Sequence, residues 1–256
     1  MSLTACAELV ERGDPDRFRA VLAAPVAARP VLLPLYAFNL EVARAPWVTS
    51  EPMIGEMRLQ WWRDALEEIG SGGQVRRHEV VTPLADVLDP QGAALLDRLV
   101  AARRWDLYRD PFDDRAAFDA YLDDTAAGLM WAASRALGAP AAAEAPVRAL
   151  GRAAGLAAWL LAVPDLEARG RVPLVDGRPD AVRALAAGAL EQLRDGRRGI
   201  RSVPAEARAA LLAGWRAPAL LSRAVHDPGR VAAGALVESE AARRLALLRA
   251  ALLGRI

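Results

Sequence analysis

Asp119 and Asp123, in the run DAYLDD, stand four residues apart and share one face of a helix. Two carboxylates in that register could hold a magnesium ion through oxygen ligands and water. A plainer reading stands beside it: Arg115 lies four residues before Asp119 and can pair with it on a solvated helix face. Asp64, Glu67 and Glu68 in RDALEEI pose the same choice, with Arg63 and Glu67 as an i, i+4 pair. His78, beside Arg76, Arg77 and Glu79, could act as an acid or base near neutral pH or simply mark a helix entry. His226, in AVHDPG, reads as a helix end at a turn. Cys6 is the only cysteine, which excludes a disulfide framework and a multi-thiolate metal site; it reads as a small core residue. Two distant histidines make no histidine-rich zinc site. The chain contains no lysine, so it has neither a Schiff-base lysine nor a phosphate-loop lysine. The pairs Arg103-Arg104, Arg197-Arg198 and Arg243-Arg244 could bind phosphates or anionic lipid, or could be ordinary solvated surface.

These groups must be positioned by helices, because the apolar periodicity is helical almost throughout. The 256 residues carry 33 basic and 32 acidic side chains, a net charge of +1, which argues against a nucleic-acid binder. A hydrophobic fraction of 54% is that of a packed globule, long enough to bury a sizeable core. Asp14-Pro15 provides an N-cap followed by proline at the first helical position. A helix is predicted from Val31 to Arg44, and another opens at Ser50-Glu51-Pro52 and ends at Gly70. Others are predicted over Val80–Leu88, Gln91–Tyr108, Arg115–Leu137, Ala143–Leu161, Pro179–Leu193, Ala205–Ala224 and Ser239–Leu253. Only Arg171–Val175 alternates with period two. The expectation is one all-α domain, residues 1–256, of roughly ten helices.

Trp61, Trp62, Trp131 and Trp159 fall at core-facing spacing. They either pack the interior or line an apolar cavity suited to a lipid-like chain. The longest apolar run, Ala153–Val163, is about 11 residues against the ~20 of a membrane crossing, so no transmembrane segment is expected. The opening MSLTACAELVERGD lacks a basic n-region, and a cytoplasmic location is the expectation.

Five segments bear a resemblance to a known family: LPLYAFNLEVARA (Leu33–Ala45), MRLQWWRDALEEI (Met57–Ile69), LVAARRWDLYRDPF (Leu99–Phe112), AYLDDTAAGLMWAASRALG (Ala120–Gly138) and GLAAWLLAVPDLEARGRVPL (Gly155–Leu174). In this order and spacing they resemble the squalene/phytoene synthase family. The resemblance implies an isoprenoid-synthase-like helical domain around a central cavity. Active members join two prenyl diphosphates head to head, using two aspartate-rich motifs whose magnesium ions neutralise the leaving diphosphate. Where the first motif is implied, this chain reads Val42, Ala43, Arg44, Ala45, Pro46, Trp47. Where the second is implied, it reads AWLLAVPDLEARGR, about one turn short, interrupted by Pro164, with only Asp165 and Glu167 left.

Asn39, Pro164 and the RGRVPL stretch are similar to a non-catalytic branch of the family, which contains an assembly factor of respiratory complex I and its bacterial relatives. The branch implies a catalytically inactive binding or assembly factor at the cytoplasmic membrane face. Complex I subunits or assembly intermediates would be its partners, with no cofactor and an apolar, lipid-like ligand pocket. Tyr36, Asn39, Arg44, Arg58, Trp62 and Arg171 are the candidates to line that pocket or its mouth. The alternative is a magnesium-dependent prenyl transferase, which would need Asp119 and Asp123, or Asp165 and Glu167, to converge on one cavity.

Overall fold

Asp14 accepts a hydrogen bond from the backbone N–H of Arg17 at 2.9 Å, and Pro15 supplies the first helical position. This cap divides helix α1 (Leu3–Gly13) from α2 (Pro15–Ala23) in the computed structural model, which describes residues 3–48 and 51–254. Helix α3 (Arg29–Arg44) has Pro30 in its first turn and carries Pro34 inside its buried run. Helix α4 (Pro52–Ser71) begins on Pro52 and stops at Gly72, whose φ of 67° is the left-handed conformation that ends helices; Ser50 lies outside the described residues. Then come α5 (Val81–Ala85), α6 (Pro90–Ala102), α7 (Arg115–Leu122), α8 (Gly128–Ala136) and α9 (Glu144–Ala168). Helices α10 (Pro179–Arg198), α11 (Ala217–His226), α12 (Gly229–Ala232) and α13 (Glu240–Leu253) complete the described chain. Asp89 and Asp114 cap α6 and α7 as Asp14 caps α2, accepting from Gly92 N–H at 2.6 Å and Ala117 N–H at 2.8 Å.

The architecture is all-α, with no strand among the described residues. Helix α9 is the axis: α8, α10 and α11 pack around it, while α1 pairs with α3 and α4 with α6. The buried apolar side chains form one cluster that contains Cys6, Phe38, Phe118, Leu150 and Leu160. Close packing against α9 requires two of its glycines. A Cβ on Gly151 would stand 2.6 Å from Ala127 Cα, and one on Gly155 would stand 2.4 Å from Ala126 Cβ.

Several expectations are corrected. Arg115–Leu137 is not one regular helix: a π-helical turn, Asp123–Ala127, separates α7 from α8. There the Thr125 hydroxyl donates to the Tyr121 carbonyl at 2.6 Å, a back-bond that competes with regular helical pairing. The segment after α6 tightens into a 3-10 turn, Arg103–Leu107, and Ala207–Gly214 is likewise 3-10, so the helix expected over Ala205–Ala224 is realised only as α11. Pro164 does not interrupt α9, which runs four residues beyond it. Proline there removes one N–H donor, and burial of the preceding helix face outweighs that loss. The alternating stretch after Gly170 is not a strand but an extended connection tied to neighbouring helices. Its ties are the Trp159 indole N–H donating to Pro173 O at 2.9 Å and Arg171 donating to Tyr108 O at 2.6 Å.

Two helical stretches, Val26–Trp47 and Ala141–Ala168, are long and apolar enough by composition to cross a membrane, contrary to the reading from the longest apolar run. Each has 56% of its most apolar window buried inside the protein.

Candidate functional site

Helix α9 presents Gly151, Ala154, Gly155, Ala158 and Ala162 along one face, a stripe of small residues at i, i+3/i+4 spacing. Because these side chains are short, the facing helices α3, α7 and α8 enclose a cavity of about 320 Å³ against them. That volume is at the lower end of the ~300–1,000 Å³ range of small-molecule sites.

One end of the cavity is aromatic. Tyr121 and Trp159 line it with ring centroids 5.2 Å apart at 67°, backed by Trp105, which stacks on Phe112 at 4.0 Å. The polar content concentrates in one buried triad. Arg103 Nη1 donates to Asp106 at 3.0 Å and to the Tyr121 oxygen at 2.8 Å; the Tyr121 hydroxyl donates to Asp106 at 3.0 Å. Burial works against the charge on Arg103, but Tyr121 and Asp106 outweigh it and hold its pKa above the ordinary value. Burial, assisted by Asp106, pushes the Tyr121 phenol upward, so it remains a protonated donor at neutral pH. On the opposite wall, burial pushes Tyr36 up to about 12, partly countered by Arg17, whose guanidinium lies 5.1 Å from its ring centroid. The Tyr36 hydroxyl donates to Ala210 O at 3.4 Å.

The expected pocket residues divide. Tyr36 and Asn39, three apart on α3, both line the cavity. Arg171 is buried beside it, donating to the backbone carbonyls of Asp106 and Tyr108 and lying 5.0 Å from the centroid of the lining Trp47. Arg44 does not line the wall; it is exposed and paired with Glu41 at 3.4 Å, because its helical position faces away from Asn39. Arg58 is exposed on α4. Trp62 is buried elsewhere, edge-on to Phe38 at 5.3 Å and to Trp61 at 4.9 Å. His78 joins this second aromatic cluster, 5.5 Å from Trp62.

The acidic candidates do not converge. Asp119 is exposed and bound to Arg115 at 2.8 Å. Asp123 is held by Arg148 at 3.0 Å and Arg152 at 2.7 Å. Asp165 and Glu167 are exposed in the last turns of α9. Arg63 pairs with Asp97 at 2.7 Å, not with Glu67 as the helical spacing suggests. No group of three or more His, Cys, Asp or Glu side chains that could hold a metal occurs among the described residues. Among the described residues lining the cavity, Asp106 is the one carboxylate, and Arg103 and Tyr121 occupy it. This donor set does not fit a magnesium cluster, which needs several carboxylates aimed at one point. Sequence reasoning missed Asp106, Tyr121 and Thr125; the i, i+3 spacing of Arg103 and Asp106 was the available signal.

Comparison with known proteins agrees with this architecture. A profile of the squalene/phytoene synthase family matches residues 10–175. The chain is 26% identical over 181 residues to the Bos taurus protein "NADH dehydrogenase (ubiquinone) complex I, assembly factor 6", aligning 65% of this chain with 51% of that one. It is 29% identical over 185 residues to the Drosophila melanogaster homolog of that factor, covering 66% of this chain and 53% of the relative. The chain thus spans about half the length of these curated relatives. A crystal structure of a dehydrosqualene synthase in complex with ligand shares the fold, with a TM-score of 0.77 at 14% identity over 96% of this chain and 94% of that one. With a matched profile over most of its helices and this shared architecture, the chain belongs to the squalene/phytoene synthase family.

Proposed function

We propose that this protein is a catalytically inactive member of its family, acting as an assembly or binding factor for respiratory complex I at the cytoplasmic membrane face. The observation that carries the inactive half is the cavity wall, whose one carboxylate among the described residues is bound by Arg103 and Tyr121. Departure of a diphosphate would require several carboxylates holding metal ions at one place, and Asp119, Asp123, Asp165 and Glu167 are not in that wall. The assembly half is supported by the likeness to proteins named as complex I assembly factors, over about two thirds of this chain. The mainly apolar and aromatic lining of the cavity supports an apolar ligand.

Deleting the gene and measuring complex I activity together with carotenoid and hopanoid content tests this reading. Loss of complex I activity with isoprenoid products unchanged is the expected result. Magnesium-dependent turnover of farnesyl or geranylgeranyl diphosphate by the purified protein would establish the prenyl-transferase alternative in its place.

A further inference from the structure

A second concavity, of about 940 Å³, lies between the end of α10, α11 and α13, with Leu150 of α9 in its lining. Its floor is apolar, built from Leu150, Ile200 and Trp215. Arg197, Arg198, Arg201 and Arg249 line it, and no acidic side chain does so among the described residues. Arg198 is bound to Asp195, while Arg201 and Arg249 make no ion pair among the described residues. Arg201 and Arg249, with no carboxylate in the lining among the described residues, make this concavity attractive to a polyanionic surface.

Helix α13 forms one wall of this groove. It rests on the body through Ala250 and contributes Ala246, Arg249 and Leu253 to the groove. On its outward face, Leu245, Leu248 and Leu252 follow i, i+3, i+7 spacing and are 57%, 55% and 75% exposed. Arg249 flanks this stripe on one side, and Arg244, paired with Glu240 at 3.2 Å, on the other. A soluble surface ordinarily shows leucines singly, and an ordered stripe of them beside a basic groove marks a face with an occupant.

We infer that the α10–α11–α13 face docks on an anionic phospholipid bilayer, with the arginine groove over the phosphates and the Leu245–Leu248–Leu252 stripe at the acyl boundary. An acidic polypeptide in the groove would meet the arginines but leave the leucine stripe in water. A bilayer satisfies both, since apolar side chains enter its boundary while arginines stay at the headgroups. The inference rests on the membrane-face part of the proposed function and not on the assembly role: a gene deletion tests that role, and vesicle binding tests this face.

The test is flotation of the full chain with vesicles of phosphatidylcholine alone and of phosphatidylcholine mixed with phosphatidylglycerol. Binding to the mixed vesicles, weak binding to the neutral ones and release by high salt are expected. The pair Arg201→Gln/Arg249→Gln lowers the partition coefficient by about 25-fold, taking about fivefold for each arginine near an anionic surface. The triple variant Leu245→Gln/Leu248→Gln/Leu252→Gln weakens binding with helix content and melting temperature unchanged. Equal binding to both vesicles, no binding to the anionic ones, or an arginine double variant that binds normally would each overturn the inference. So would capture by polyglutamate with no vesicle binding, which would assign an acidic polypeptide to the groove.

Discussion

The Tyr121 phenol hydrogen-bonds both carboxylate oxygens of Asp106, at 3.0 and 3.1 Å, and both side chains are buried. The charge of the aspartate is balanced by Arg103, three positions before it, and the phenol satisfies its oxygens. Tyr121→Phe removes one donor and leaves the buried carboxylate with a single side-chain partner. The expected cost is about 1–3 kcal/mol, read as a lower urea midpoint with unchanged m-value. A midpoint equal to that of the parent protein would mean that the triad contributes nothing to stability.

Gly151 and Gly188 give opposite responses to the same change. Gly151→Ala drives a Cβ to 2.6 Å from Ala127 Cα, which is backbone and cannot swing aside, so a loss of about 1–3 kcal/mol is expected. Gly188, inside α10, has nothing within 4 Å of the added atom. Gly188→Ala is expected to stabilise by up to ~1 kcal/mol through helix propensity. Thermal melts of the two variants, side by side, check the contrast.

Ala158 lines the cavity from α9 and is itself exposed at its opening. Ala158→Phe places a ring in that space, at an expected cost of about 1–3 kcal/mol. The parent protein should enhance the fluorescence of an anilinonaphthalene sulfonate dye, and the variant should lose most of that signal. Full dye binding by the variant would place the apolar site elsewhere.

Alkaline pH should unfold the protein in steps. Burial, with Glu79 adding to it, raises Cys6 from 9.0 to about 11, and burial raises Tyr36 from 10.0 to about 12. In both cases the folded state holds the proton more tightly, so the stability is complete below pH 9 and is lost as pH rises toward 12. Each group contributes roughly 2–3 kcal/mol over that span. Cys6→Ala should remove the part of the decline that begins near pH 9.0, leaving the part that begins near pH 10.0. Urea midpoints measured across this range check both.

Local chemistry made part of this protein readable in advance. Asp14-Pro15 specifies a cap and a helical start whatever surrounds it, and Tyr36 and Asn39 share a helix face by spacing alone. Arg44 shows where reading by segment stopped. It stood at a motif position, yet its angle about α3 turns it to solvent and Glu41. Trp62 could not be told from Trp159 by spacing, since both are buried aromatic helix residues. Which of them borders a cavity depends on the helices opposite, and only Trp159, on α9 beside the small-residue stripe, lines it. Pro164 was misread because intrinsic helix propensity is weak beside the burial of a long apolar face.

The sequence by itself determined the all-helical class, the family and the scarcity of carboxylates at the motif positions, because these follow from residue type and order. Only the tertiary structure decided that Arg103, Asp106 and Tyr121 close into a buried triad, and that Asp119, Asp123, Asp165 and Glu167 do not converge. Convergence depends on how separate helices turn about their axes and cross, and the glycines, the π-helical turn and the side-chain volumes along α9 set that together.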